Sequence, residues 1–228
     1  MVNLESINYS DFFNNKIIAH QVLFNHYLNS SSLNLYREDV AKYYSIDLNN
    51  LAIPKQIHSD TVRWINKGGS YNDSDGLLTN HSEIVLSLQT ADCLPVFIFD
   101  KTNNTKGLIH SGWRGTKNKI VNNAINIMLK NGSKKTDIFI LIGASIQKCC
   151  YEIGDELTNY FDDDCIYQNN NKKFLSLQEQ IMIDLRKLNM PQKNIHIDSE
   201  CTFTNNKLSS YRRDGSKAGR MISFLGCY

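Results

Sequence analysis

Three segments of this 228-residue chain set a metal-capable or nucleophilic side chain just after an apolar run. They are Gln56-Ile57-His58-Ser59-Asp60, Thr90-Ala91-Asp92-Cys93-Leu94-Pro95 and Leu108-Ile109-His110-Ser111-Gly112-Trp113-Arg114-Gly115-Thr116. Strand ends and the loops behind them are where a rigid backbone can aim such a group. Two imidazoles and one thiolate suit Zn2+, with a fourth position left for water or substrate. Copper accepts the same donors, but the weak axial Met of blue-copper sites has no counterpart near Cys93. The three residues lie 35 and 17 positions apart, which fits no compact zinc-finger pattern. On spacing alone, two hydrogen-bonded core histidines and a small apolar cysteine are the stronger reading. A third reading makes Cys93 a nucleophile activated by His110, with Asp92 or another polar neighbour orienting the imidazole. Asp92 is equally a strand-end carboxylate capping a turn, or a proton acceptor.

Anion chemistry is suggested twice. In Gly112-Trp113-Arg114-Gly115-Thr116, glycine permits close backbone approach, Arg114 offers a forked clamp, and a helix expected to start at Thr116 offers free N–H groups. Ser209-Ser210-Tyr211-Arg212-Arg213-Asp214-Gly215 adds two arginines. Neighbours on a strand point to opposite faces, so at most one of Arg212 and Arg213 reaches a site, and a solvated ion pair with Asp214 is the plainer reading. Cys149 and Cys150 are adjacent, which disfavours an unstrained disulfide between them, and they read as structural.

The elements that must position these groups are short. Ile84 to Leu88 and Pro95 to Phe99 are apolar, β-branched and aromatic, hence buried strands. The polar turn at Lys101 to Asn104 predicts that Lys106 to His110 returns antiparallel as a hairpin. Ile120, Val121, Ala124, Ile125, Met128 and Leu129 recur at helical spacing, with Thr116 as candidate N-cap and Gly132 as stop. Asp137 to Gly143 reads as a further strand. Ser176-Leu177-Gln178-Glu179 is a capping box opening a helix that Pro191 ends, and Asn194 to Asp198 alternates like a strand. Strands joined by turns, with helices between groups, predict one α+β domain over residues 1–228 with a mixed, largely antiparallel sheet and packed helices.

Composition narrows the partners. With 25 Lys plus Arg against 23 Asp plus Glu, the net charge of +2 carries no footprint for nucleic acid or an anionic membrane. The longest apolar runs are far below the roughly 18–20 residues of a membrane span. No GxGxxG or GxxxxGK[ST] loop occurs, which argues against dinucleotide and P-loop sites. The first residues lack a basic region and an apolar core, so a cytoplasmic location is expected, with the six cysteines as thiols, ligands or core filler.

Taken in order, the blocks resemble the laccase-domain family, also called the multicopper polyphenol oxidase or purine nucleoside phosphorylase-like family. They are Ser32-Leu33-Asn34-Leu35, Gln56-Ile57-His58, Ser74-Asp75-Gly76-Leu77-Leu78-Thr79, Thr90 to Pro95 and His110 to Thr116. Later come Cys149-Cys150-Tyr151-Glu152-Ile153-Gly154, Cys201-Thr202 and Ser210 to Gly215. The resemblance implies one Zn2+ on His58, Cys93 and His110; Asp92, Cys93 and His110 are the catalytic candidates, with Asp92 as the proton shuttle for deamination. It further implies Asn34, Arg114, Tyr211, Arg212 and Arg213 as phosphate or substrate contacts. The implied fold is similar to cytotoxic necrotizing factor-like cysteine hydrolases. The implied chemistry is phosphorolysis of adenosine, inosine and S-methyl-5'-thioadenosine to base plus pentose 1-phosphate, with adenosine deamination, in a monomer or weak homo-oligomer. Alternatives are an amidase editing a peptidoglycan precursor, a copper polyphenol oxidase, and a non-catalytic binding module. Two departures from the family pattern stand out. Gly143-Ala144-Ser145-Ile146-Gln147-Lys148 lacks the family's prolines and predicts a less rigid loop, and Ser209 replaces an aromatic.

Overall fold

A computed structural model describes residues 5–13, 17–23 and 33–227; the side chains of Leu33, Asn34 and Leu35 lie outside the described part. The strands are β1 (Ser6–Asn8), β2 (Ile17–Val22), β3 (Leu51–Pro54), β4 (Val62–Trp64), β5 (Gly69–Tyr71), β6 (Gly76–Thr79), β7 (Val85–Thr90) and β8 (Leu94–Asp100). They continue as β9 (Lys106–Ser111), β10 (Ile138–Ile142), β11 (Glu152–Ile153), β12 (Ile166–Asn169), β13 (Lys172–Leu175), β14 (Ile195–Ile197) and β15 (Met221–Cys227). The helices are α1 (Ser10–Phe13), α2 (Leu33–Tyr43), α3 (Trp113–Lys117), α4 (Ile120–Lys130), α5 (Asp155–Thr158), α6 (Leu177–Lys187) and α7 (Tyr211–Asp214). The architecture is α+β, as the sequence predicts, but the strands do not share one sheet. Two six-stranded sheets form, β1-β2-β15-β7-β3-β5 and β14-β10-β8-β9-β6-β4, beside a three-stranded one, β11-β13-β12.

The side-chain alternation of β8 explains the layering. Val96 and Ile98 join Ile109, Ile138 and Ile140 under α4 and α6, packing on Ile120, Ala124, Ile125, Ile181 and Leu185. Phe97 and Phe99 point the other way, onto Leu86, Leu88 and Leu225 of the first sheet. A strand covered on both faces must be apolar throughout, which is why β8 reads as a continuous run rather than a clean alternation. Ile18, Val22, Val85, Ile222 and Phe224 line the outer face of the first sheet and receive Tyr36, Val40 and Ala41 of α2. The order is therefore helices, sheet, sheet, helix, each seam burying side chains worth roughly 1.5–3 kcal/mol apiece. Truncating Phe97 would open the middle seam at a cost of about 3–5 kcal/mol.

The predicted β8–β9 hairpin forms with antiparallel register Val96↔Ile109. Gly132 follows α4 with φ +95°, where a side chain would be strained, and serves as the predicted stop. Ser176 caps α6 by accepting from the Glu179 N–H at 3.2 Å. Thr116 departs from expectation: it lies inside α3, and α4 is preceded instead by Lys119 in the left-handed region, φ 60°. Its N–H donates to Gly112 O at 2.9 Å, so the free donor predicted there is already used. Arg212 and Arg213 sit on the single turn of α7 rather than on a strand.

The loop after β10 also differs from the reading of lost rigidity. Gln21 donates to Ala144 O, Ala144 N–H donates to Tyr9 Oη, and Gln178 donates to Ser145 Oγ and Ile146 O, all at 2.9–3.0 Å. Hydrogen bonds from three elements hold what proline rings would have stiffened. No helix among the described residues is long and apolar enough to cross a membrane.

Candidate metal centre

The three predicted donors meet where the two large sheets adjoin. His58 is in the loop after β3 of the first sheet, Cys93 is in the residues 91–93 crossover from β7 to β8, and His110 is on β9 of the second sheet. One donor atom from each lies within 4.8 Å of the others. The imidazoles of His58 and His110 meet edge to face, with centroids 4.8 Å apart. His58 and Asp92 hold φ of 61° and 80°, a region costly for residues with a Cβ, so the surroundings must enforce it.

At His58 what enforces it is Asp75, which lies in the turn before β6 and is fully buried. Its carboxylate accepts the backbone N–H groups of Ile57, His58 and Ser59 at 3.2, 3.0 and 2.6 Å, and the Ser59 hydroxyl at 2.8 Å. The same carboxylate is 2.8 Å from His110 Nδ1. Burial disfavours its charge, but the bonds from His110 and Ser59 outweigh burial and pull its pKa to about 2. One ionised group thus folds the His58 loop and, by accepting the Nδ1–H hydrogen bond, leaves His110 Nε2 for the centre. Burial also opposes ionisation of Cys93, yet its contacts with His110 and His58 lower its pKa to about 6. His110 rises to about 9, with burial opposing and Asp75 and Cys93 prevailing. Cys93, His110 and Asp75 also stand in the order of a nucleophile, its base and an orienting carboxylate. The orienting carboxylate is Asp75 and not Asp92.

These residues fit a metal. The donor set is soft sulfur plus two imidazole nitrogens, and a carboxylate backs one histidine as in known metal sites. Gly112 leaves the room: a Cβ there would stand 3.0 Å from Cys93 Sγ and 3.3 Å from the His58 ring. The motif needs glycine for space, since its φ of −82° is open to any residue.

Asp92 has a different role in the geometry. Its oxygens accept the Thr202 hydroxyl and the Arg212 backbone N–H, both at 2.6 Å, so it ties the crossover to α7. Arg212 donates from one terminal nitrogen to Glu152 O at 2.7 Å and stacks over Tyr151 at 5.2 Å. Arg114 is exposed and lies over its neighbour Trp113 at 4.2 Å. Arg213 turns inward: its three guanidinium nitrogens donate to Asp214 and to the carbonyls of Thr202, Phe203, Asn205 and Leu208. Of the two adjacent arginines, only Arg212 has a guanidinium facing this region. Tyr211 is 56% exposed at the start of α7, and Ser209 is buried. Asn34 is in the first turn of α2.

Two participants escaped the sequence reading of roles. Asp75 stood only in a matching block, and the signal for it was an acidic residue closing a polar turn just before the apolar strand β6. Tyr151, half-buried, interacts with Cys93, Asp92, Arg212 and Arg114; burial first, then the acidic neighbours, push its hydroxyl up to about 12 against the arginines.

Residues 29–227 match the family model of the multi-copper polyphenol oxidoreductase laccase domain. The chain belongs to this family. Among laccase-domain relatives, a purine nucleoside phosphorylase of Clostridium acetobutylicum is 35% identical over 177 residues, covering 75% of this chain and 74% of that one. A protein named adenosine deaminase RL5, from an unknown prokaryotic organism, is 28% identical over 84% of this chain and 80% of its own. The crystal structure of YlmD from Geobacillus stearothermophilus superposes with TM-score 0.90 at 20% identity, covering 100% and 97% of the two chains. That likeness establishes the laccase-domain fold for the arrangement described above.

Proposed function

We propose that the chain is a metal-dependent purine nucleoside enzyme, cleaving adenosine, inosine and S-methyl-5'-thioadenosine with phosphate and also deaminating adenosine. The observation that carries this reading is the meeting of the His58, Cys93 and His110 donors, with Asp92 beside Cys93 tied to Arg212, whose guanidinium lies over Tyr151. A soft donor set beside two forked cations suits a neutral base attached to a sugar that phosphate must attack. Relatives named purine nucleoside phosphorylase and adenosine deaminase support the same substrate class.

In phosphorolysis a phosphate oxygen bonds to C1′ as the C1′–N9 bond breaks, its electron pair leaving with the base, which takes a proton. Arg114 and Arg212 supply charge and donors for the phosphate. Asp92 fixes Arg212 by its backbone, and the Tyr151 phenol, protonated at neutral pH, is a donor for a purine nitrogen. In deamination a water oxygen adds at C6, the C6–N6 bond breaks, and ammonia leaves with a proton from that water. Bound to the three donors, Zn2+ supplies Lewis acidity to an oxygen at this centre. Asp75 keeps His110 in the tautomer that can ligate. All six cysteines are free thiols, which supports a reducing, cytoplasmic setting.

The test is incubation of zinc-loaded protein with adenosine and phosphate. Adenine with ribose 1-phosphate, together with inosine, is expected from the native chain and not from His58→Ala. Finding none of them above the His58→Ala control would overturn the reading.

A further inference from the structure

Outside the centre, one cluster of soft donors has no role in the chemistry above. Cys149 and Cys150 lie in the turn after the β10 loop, and Cys201 lies across from them in a bridge to Ser145. Their three sulfur atoms fall within 4.8 Å of one another. Cys149 Sγ is 3.2 Å from Cys150 Sγ and 3.7 Å from Cys201 Sγ. A thiolate–metal bond of about 2.3 Å separates the sulfurs of a trigonal or tetrahedral set by about 3.8–4.0 Å. The Cys149–Cys201 edge nearly meets that, the Cys149–Cys150 edge has to open, and the third edge is bounded by 4.8 Å.

The two loops that carry the triangle are braced against each other: Ser145 N–H donates to Glu200 O, and Thr202 N–H donates to Ser145 O, at 3.3 and 3.2 Å. Cys149 is exposed, so an ion can arrive from solvent. A disulfide explains the cluster less well. Adjacent cysteines close a strained ring, and any single bridge leaves a third sulfur with nothing to do.

We propose that Cys149, Cys150 and Cys201 form a second metal site, taking one thiophilic d10 cation, Cu+ or Zn2+, in trithiolate coordination. Thiolates select these ions over harder ones; Cu+ is complete with three sulfurs, and Zn2+ would add a solvent ligand. The site stands directly behind the nucleoside chemistry. Cys150 precedes Tyr151, and Cys201 precedes Thr202, whose hydroxyl holds Asp92. An ion there locks both walls in place.

Co2+ as a zinc surrogate, added under reductant to metal-stripped full-length protein, counts thiolates through its near-ultraviolet charge-transfer band. Two equivalents are expected, one with a band about three times as intense as the other. Cys149→Ser with Cys150→Ser should abolish the strong band and leave the weak one, which also reports that the variant is folded. Cys93→Ser should do the reverse. A parallel Cu+ titration against a competing chelator separates the two ions, and uptake of either at the triad supports the proposal. A single equivalent in the native chain, a strong band that survives the double variant, or a stripped protein still two hydrogen atoms lighter under reductant, through a disulfide within the triad, would each overturn it.

Discussion

The two sulfur-bearing clusters of this protein are built on opposite plans. The His58/Cys93/His110 centre draws donors from two sheets and is oriented by a buried carboxylate that satisfies five groups at once. The Cys149/Cys150/Cys201 cluster draws on two loops, uses one donor type, and is held by the backbone bonds that tie those loops together. The first mixes nitrogen and sulfur and so keeps chemistry accessible; the second is all thiolate and suits holding. The contrast teaches that rigidity at the centre comes from a charged group inside the fold, whereas the triad rests on backbone bonds between two loops, which the proposed ion would tighten.

The sharpest way to break this contrast is Cys93→Ser. It should abolish nucleoside turnover by more than the roughly 100-fold that losing an outer partner of a metal site costs, while the triad still takes its ion. Product assays and metal counts on the same sample check both halves. Next in size is Asp75→Asn, which removes the charge but not the shape. Metal affinity at the centre should fall about 10–100-fold, with a melting temperature lowered by the loss of charge-assisted bonds worth about 1.5–3 kcal/mol each. Chelator competition and calorimetry read the two effects, and an unchanged affinity would mean that Asp75 does not orient His110.

The adjacent arginines give a smaller, divided effect. Arg213→Ala should lower stability by about 1–3 kcal/mol through orphaned carbonyls and leave KM for phosphate near its native value. Arg212→Ala should raise that KM several-fold with little change in melting. The smallest effect is a baseline far from both clusters. Burial holds His20 below its ordinary pKa of 6.5, so the unfolded chain takes up its proton first as pH falls. Its share of stability is present above 6.5 and is lost on acidification. His20→Gln should flatten stability against pH just below 6.5, measured by denaturant midpoints.

Much of this was legible in the residues. The three donors stood out because each follows an apolar run, and runs such as Pro95 to Phe99 are long enough to read as strands without help. The hairpin and the Gly132 stop follow from turn chemistry. Other parts were not legible, for reasons of geometry. A strand buried on both faces carries the same apolar pattern whether one sheet or two surround it, so the sandwich could not be told from a single sheet. The exchange of Asp92 for Asp75 as the orienting carboxylate is a matter of three-dimensional proximity. Asp92 is next to Cys93 in sequence, and nothing local reports that Asp75 folds back onto His110. Arg212 and Arg213 are alike in type, and only the carbonyls around α7 decide which one turns inward.

One feature of the first sheet bears on how the protein is made. β15 lies at its middle, and Met221 pairs with Thr90 at the point where the chain leaves β7 for Cys93. The donors are all synthesised by residue 110, yet the strand that clamps their crossover emerges roughly a hundred residues later, a non-local pairing of the kind that slows folding. A chain still on the ribosome would hold the ligands without the frame. On the proposed reading, metal capture at the centre would mark a finished molecule, and a polypeptide cut short before β15 is expected to lose both the ion and the activity.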